Sequence, residues 1–146
     1  MDSPETLFSG ENKQKILEAI RQAELNTSGE IRLHVESRCR IDVLDQAAYI
    51  FKKLEMHQTK DRNGVLFYLA LKDKKFAVLG DAGINASVPA NFWDEVISLI
   101  TSYFKDNQFV EGLAKGIELA GQQLKEHFPY QSDDKNELSD EISIGK

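Results

Sequence analysis

The sequence predicts an α/β fold, a three-layer α/β/α sandwich with a small mixed sheet, in the element order α-β-α-β-β-α-α. Three observations carry this reading. Residues Glu30–Glu36 alternate apolar and polar side chains, the period of a strand with one buried face. Gly64 to Leu71 reads Gly-Val-Leu-Phe-Tyr-Leu-Ala-Leu, apolar on both faces, as a strand covered from both sides should be. Two long stretches after residue 90 repeat apolar residues every three or four positions, the period of a helix lying on a core. Helical and extended segments in alternation favour one sheet flanked by helices on both faces.

Taken in order, Ser9 caps a helix that runs to about Asn26, with Ile16, Leu17, Ile20 and Ala23 on one face. Thr27-Ser28-Gly29 stops it, and the Glu30–Glu36 strand follows with Ile31, Leu33 and Val35 inward. Glu30, Arg32, His34 and Glu36 then face water. Asp42 caps a second helix over about 42–56, whose apolar face is Val43, Ala47, Ile50, Phe51 and Leu54. His57 to Asn63 is a polar loop. After the Gly64–Leu71 strand, Lys72-Asp73-Lys74 turns the chain and Lys75–Leu79 pairs back as a hairpin. Gly80-Asp81-Ala82-Gly83 is a second glycine loop. The last two helices span roughly 90–106 and 109–128. One buries Phe92, Val96, Ile97, Ile100 and Phe104, the other Phe109, Leu113, Ile117, Ala120 and Leu124.

The 146 residues suffice for one domain with a real core. Residues 1–9 read as an N-terminal arm and 10–130 as a single domain. Beyond Phe128-Pro129-Tyr130, residues 131–146 read as an acidic tail without fixed structure. The formal net charge of −6 lacks the positive field that nucleic-acid binding needs, and suits cations or basic partners. The lone Cys39 excludes an internal disulfide and a cysteine-rich metal site. No secretory signal and no apolar run of membrane-spanning length is present, so the expectation is a cytoplasmic, soluble chain.

Topology brings a set of polar residues together. In an antiparallel hairpin the start of the first strand and the end of the second share one edge of the sheet. Asp61 and Asn63 precede the first, and Asp81 follows the second. A right-handed crossover through the 42–56 helix places Glu30 at the same edge. Asp94 and Glu95, early in the next helix, are within reach. Carboxylates so gathered repel unless a hard divalent cation or a cationic side chain compensates them; Arg62 is the side chain at hand. Asp61-Arg62-Asn63-Gly64 looks like the opening of a helix–loop–helix calcium loop, but the later ligands are absent.

These segments resemble the TPM domain family, named for thylakoid-lumen, photosystem-repair and nematode receptor-modulating members. The likeness is carried by Gly29-Glu30-Ile31, Asn63-Gly64-Val65-Leu66, and Gly80-Asp81-Ala82-Gly83-Ile84 with Pro89. Phe104, Phe109, Gly112 and Gly116 complete it, over about residues 10 to 128. The resemblance implies an α/β/α sandwich with a functional rim on these loops. It also implies divalent-cation binding, calcium included, and in plastid members acid phosphatase activity. The matching acids are Asp61 and Asp81, then Glu30 and Asp94. Many family members carry an export signal, a membrane span and a Gly-rich tail, which this sequence lacks. Where many have Gly-x-Gly after the hairpin, it reads Asp81-Ala82-Gly83.

The leading expectation is a domain that binds calcium, or second magnesium, through Asp61, Asn63 and Asp81, with Glu30 and Asp94 as outer ligands. A metal-dependent acid phosphatase using the same rim is the alternative. A metal-independent protein-interaction module is the third. For hydrolysis, Cys39 lacks the phosphatase spacing, since Asp45 stands where an arginine belongs. No Asp-x-Asp pair or phosphate-binding Gly-Lys loop exists, which leaves only metal-activated water. Arg38 and Arg40 would lower the pKa of the Cys39 thiol if it were exposed.

Overall fold

The computed structural model describes residues 3–130 and 137–145. Ten elements follow one another: α1 (Pro4–Leu7), α2 (Gly10–Asn26), β1 (Glu30–Glu36), α3 (Val43–Lys53), β2 (Gly64–Ala70), β3 (Lys75–Gly80), α4 (Ala82–Ser87), α5 (Asp94–Phe104), α6 (Phe109–Leu124) and β4 (Ser143–Ile144). The four strands form one sheet in the order β3-β2-β1-β4. β1 runs parallel to β2 and to β4, and β2 pairs antiparallel with β3. The α/β sandwich is as expected.

Each strand period accounts for its layer. Val65, Phe67 and Leu69 of β2 join Ile31, Leu33 and Val35 of β1 in the larger core, which α2, α5 and α6 close. Leu66, Tyr68 and Ala70, on the other face of β2, pack with Ala47, Ile50 and Phe51 of α3. All seven β2 residues are buried, so the strand has two dry faces, as its composition demands. Helices α2 and α6 meet closely because Gly121 has no side chain: a Cβ there would stand 2.6 Å from the Cα of Ala23. Asp42 caps α3, its carboxylate accepting from the N–H groups of Leu44 and Asp45.

Four expectations are corrected. Residues 82–87 form a short helix, α4, where a loop was expected, and Asp81 supplies its cap. Helix α5 starts at Asp94, after a turn in which Phe92 and Trp93 stand edge-to-face. The polar side of β1 is not solvated: Glu30, His34 and Glu36 are buried.

What covers them is the fourth correction. Part of the stretch expected as a free acidic tail, residues 137–145, lies along the open edge of β1. Its Ser143 and Ile144 form β4, and Gly145 N–H donates to the Val35 carbonyl at 2.8 Å. Ile142 and Ile144 pack on the larger core and Leu138 on the smaller one. The remainder of that stretch, 131–136 and Lys146, lies outside the described residues. The acidic composition concealed an Ile-Ser-Ile alternation long enough to extend a sheet edge.

Beneath this segment His34 and Glu36 of β1 satisfy each other with the help of their neighbours. The ring of His34 bonds Glu36 Oε1 at 2.9 Å and Ser143 Oγ at 2.8 Å. The Tyr68 hydroxyl and Gln46 Nε2 both donate to Glu36 Oε2. Burial alone would push Glu36 up, but these bonds outweigh it and hold the carboxyl below its ordinary value.

Candidate functional site

The starts of β1 and β2 and the end of β3 share one edge of the sheet. Glu30 stands opposite Gly64, and Val65 opposite Gly80. The Glu30 N–H donates to the Asn63 carbonyl at 3.0 Å, and the Asp81 N–H to the Gly64 carbonyl at 2.9 Å. Three of the five site residues read from the sequence, Glu30, Asn63 and Asp81, are therefore neighbours at this rim and are buried. Asp61 lies beside them with its side chain exposed. Asp94 is exposed in the first turn of α5. No hydrogen bond or ion pair among the described residues ties it to Arg62, Asn63 or Asp81.

Asp81 is fully engaged. Its Oδ2 accepts from Arg62 Nε at 2.7 Å, and its Oδ1 from Arg62 Nη2 at 2.8 Å and from the Ala82 N–H at 2.7 Å. The planar fork of the guanidinium matches a carboxylate in this two-bond manner. Arg62 reaches it from a left-handed backbone conformation, φ 50°. Its carbonyl meanwhile accepts the Gly83 N–H at 2.9 Å. The approach is close enough to require glycine, since a Cβ on residue 83 would stand 2.2 Å from the Asp61 carbonyl oxygen and 2.7 Å from that of Arg62.

Two other acceptors are left over. Asn63 donates from Nδ2 to the Ser28 carbonyl at 2.9 Å, and its N–H is bound by Thr59 Oγ1, but its Oδ1 is buried without a partner. Glu30 accepts the Leu138 N–H at Oε1, at 2.8 Å, and its Oε2 is buried without a partner. Burial pushes the Glu30 carboxyl up to about 7, against backbone hydrogen bonds from Leu138 and Glu137 that lower it.

The C-terminal segment completes this edge. Glu137 accepts the Lys60 N–H at 3.1 Å, and Leu138 stands close to Gly64. Composition hid these contacts, because Glu137 and Leu138 sit in the most acidic, least periodic part of the chain. Cys39 is far from any of this chemistry: it is buried, and its thiol donates to the Ile41 carbonyl at 3.1 Å. The exposure that would let flanking arginines activate it is absent.

Comparison with known proteins places this geometry. The TPM domain model matches residues 2–123. The chain belongs to the TPM domain family. Among solved structures, the BA42 protein of the psychrophilic bacterium Bizionia argentinensis, solved by NMR, is 46% identical, with a TM-score of 0.92 over 99% of this chain and 100% of that one. An N-terminal domain of a P. gingivalis protein superposes with a TM-score of 0.70 at 18% identity, over 86% of this chain and 83% of that one. The N-terminal domain of the cg2496 protein of Corynebacterium glutamicum gives 0.63 at 11%, over 92% and 78%. These last two show a shared TPM-type fold. No curated protein matches the chain. No helix among the described residues of this TPM domain is long and apolar enough to cross a membrane.

Proposed function

We propose that this TPM domain binds a divalent cation, calcium before magnesium, at the rim where β1 and β2 begin. The observation that carries the reading is the pair of buried acceptor oxygens without partners, Glu30 Oε2 and Asn63 Oδ1. A buried, unpaired acceptor costs about 1–3 kcal/mol, and a hard cation takes such oxygens as ligands. Asp61 would add its exposed carboxylate. Calcium is favoured because it accepts irregular sets of carboxylate and carbonyl oxygens, whereas magnesium demands a near-octahedral one.

The residues fit in part. Among the described residues no three His, Cys, Asp or Glu side chains are grouped to hold an ion. Asp81 is occupied by Arg62, which serves as the resident cation of the rim. On this reading metal and guanidinium compete for Asp81, and binding requires the 60–63 loop to swing Arg62 outward. Asp94 stays an outer candidate. A bound cation would supply positive charge to orient water or a phosphate oxygen. Phosphate-ester hydrolysis, which the family resemblance implies, therefore depends on the same event.

Amide-resolved NMR of the chelator-stripped protein, titrated with calcium and then magnesium, tests this. The expected result is saturable shifts at 61–64 and 80–84, tighter calcium binding in Arg62→Ala and weaker binding in Asp81→Asn. Amides that stay still at millimolar calcium and magnesium would sink the proposal. Metal-dependent turnover of an aryl phosphate that is lost in Asp61→Asn would establish the hydrolytic reading.

A further inference from the structure

We propose that the opposite end of the sheet, where β1 and β2 finish, is a docking site for an acidic segment of a partner protein that carries an apolar residue beside its carboxylates. Two loops meet there. The Leu71 and Lys72 N–H groups donate to the carbonyls of Glu36 and Ser37, both at 2.8 Å, and hold the hairpin turn against the 37–42 loop. Asp73 then fixes the loop from across the gap, accepting the Cys39 N–H at 2.8 Å and Arg38 Nη1 at 3.1 Å. Lys75 Nζ donates back to the Cys39 carbonyl at 3.2 Å.

Two adjoining hollows of about 700 and 440 Å³ result, both walled by Arg38, Cys39 and Arg40. Arg38, Arg40, Lys72, Lys74 and Lys75 gather at this end against Asp42, Asp45 and Asp73, in a chain whose net charge is −6. Arg40 has no ion-pair partner among the described residues. Arg38 and Lys75 are thus held in place before a ligand arrives, which lowers the cost of ordering them. Ligands of open α/β sheets commonly bind outside the carboxyl ends of parallel strands, and β1 and β2 end here.

The charge adjoins exposed apolar surface. Ile41, Leu44 and Tyr49 are 52%, 53% and 59% exposed, on the loop and on the helix it leads into. Cations beside unpartnered aliphatic side chains complement a segment that pairs carboxylates with a leucine-like residue. Asp42 and Asp45 also stand beside Leu44, so the carboxylates of the segment would meet Arg38, Arg40 and the lysines while its apolar residue meets Ile41 and Leu44.

The test uses the whole chain and an acetylated, amidated peptide, Glu-Leu-Glu-Glu-Leu-Glu, followed by amide-resolved NMR. The expected result is saturable shifts at 37–41, 44 and 72–75 that weaken with added salt. Arg40→Glu should weaken binding by at least about fivefold, as reversal of a rim charge does. Leu44→Ser should weaken it as well. Both side chains are exposed, so both variants fold. The proposal is overturned if the Gln-for-Glu peptide binds equally, or if Arg40→Glu binds as the parent does. It is also overturned if inorganic phosphate reproduces the whole response with Leu44→Ser silent, which would mean a simple anion site. Binding to phosphatidylserine vesicles without response to the peptide would assign the surface to a membrane instead.

Discussion

Arg62 grips both carboxylate oxygens of Asp81, at 2.7 and 2.8 Å, and so ties the loop before β2 to the end of β3. The pair is lopsided, for the Arg62 side chain is 50% exposed and that of Asp81 only 5%. Removing either partner therefore has different consequences. Asp81→Ala loses the ion pair and the cap of α4 together, and should cost about 1–2 kcal/mol. Arg62→Ala leaves a buried carboxylate with its capping bond and keeps the left-handed backbone, since alanine also carries a Cβ, and should cost less than Asp81→Ala. A double-mutant cycle in urea should return a coupling near 1 kcal/mol, in the range of partly exposed ion pairs. A coupling of zero would mean that water, not Arg62, satisfies Asp81.

The Gly83 contact makes the sharpest steric prediction. Its missing Cβ leaves room for the carbonyl oxygens of Asp61 and Arg62, so Gly83→Ala must displace backbone rather than a yielding side-chain tip. A loss of about 1–3 kcal/mol is expected, the usual range for overpacking. Amide shifts should concentrate at 61–64. A variant as stable as the parent, with those amides unmoved, would contradict the close approach.

Two titratable groups, the half-buried Glu24 and the buried His34, act in opposite directions on stability. Glu24 is pushed up to about 9, first by burial and then by a hydrogen bond with Asp140 of the docked segment. The native chain thus holds a proton that the unfolded chain releases near its ordinary value of 4.5. That contribution is fully present below about 4.5 and is lost as pH rises through about 9. His34 is lowered from its ordinary 6.5 by burial, against the raising effect of Glu36. Its contribution is present above 6.5 and is lost as pH falls through the lower folded value. Glu24→Gln should accordingly gain on the parent in urea between pH 5 and pH 8, while the imidazole of His34 titrates by NMR below 6.5. Parallel pH profiles for parent and variant would contradict the burial of Glu24.

How far the sequence could be read depended on whether a segment's surroundings are local. The two dry faces of β2 and the apolar stripes of α3 and α6 are period effects, written in neighbouring residues, and were legible. The convergence of Glu30, Asn63 and Asp81 was legible as well, because strand direction alone places them. The burial of Glu30, His34 and Glu36 was not. Their alternation with Ile31, Leu33 and Val35 is that of a solvated face, and it is covered by Gln46 of α3, by Tyr68 of β2 and by a segment more than a hundred residues away. Arg62 was visible as a rim cation, but the choice between it and a metal depends on side-chain reach across the hairpin. Helix α4 escaped because its cap, Asp81, reads equally well as a turn residue.

The docked segment yields the last prediction. Ile142 and Ile144 rest half-buried on the larger core, and Leu138 on the smaller. The Leu138 and Gly145 N–H groups bond Glu30 and Val35 of β1. Ending the chain after Asn136 removes all of these. It also returns the His34–Glu36 pair to water, which offsets part of the loss because those groups regain solvent partners. Partial burial of the two isoleucines is worth roughly 1 kcal/mol each, so the truncated chain should be about 2–3 kcal/mol less stable, with hydrogen exchange accelerated at the amides of 34–36. The double alanine variant of Ile142 and Ile144 should reproduce most of the stability loss while keeping the chain full length. If truncation left both the urea midpoint and the exchange rates unchanged, residues 137–145 would not be the cover of β1 in solution, and the buried state of His34 would need another explanation.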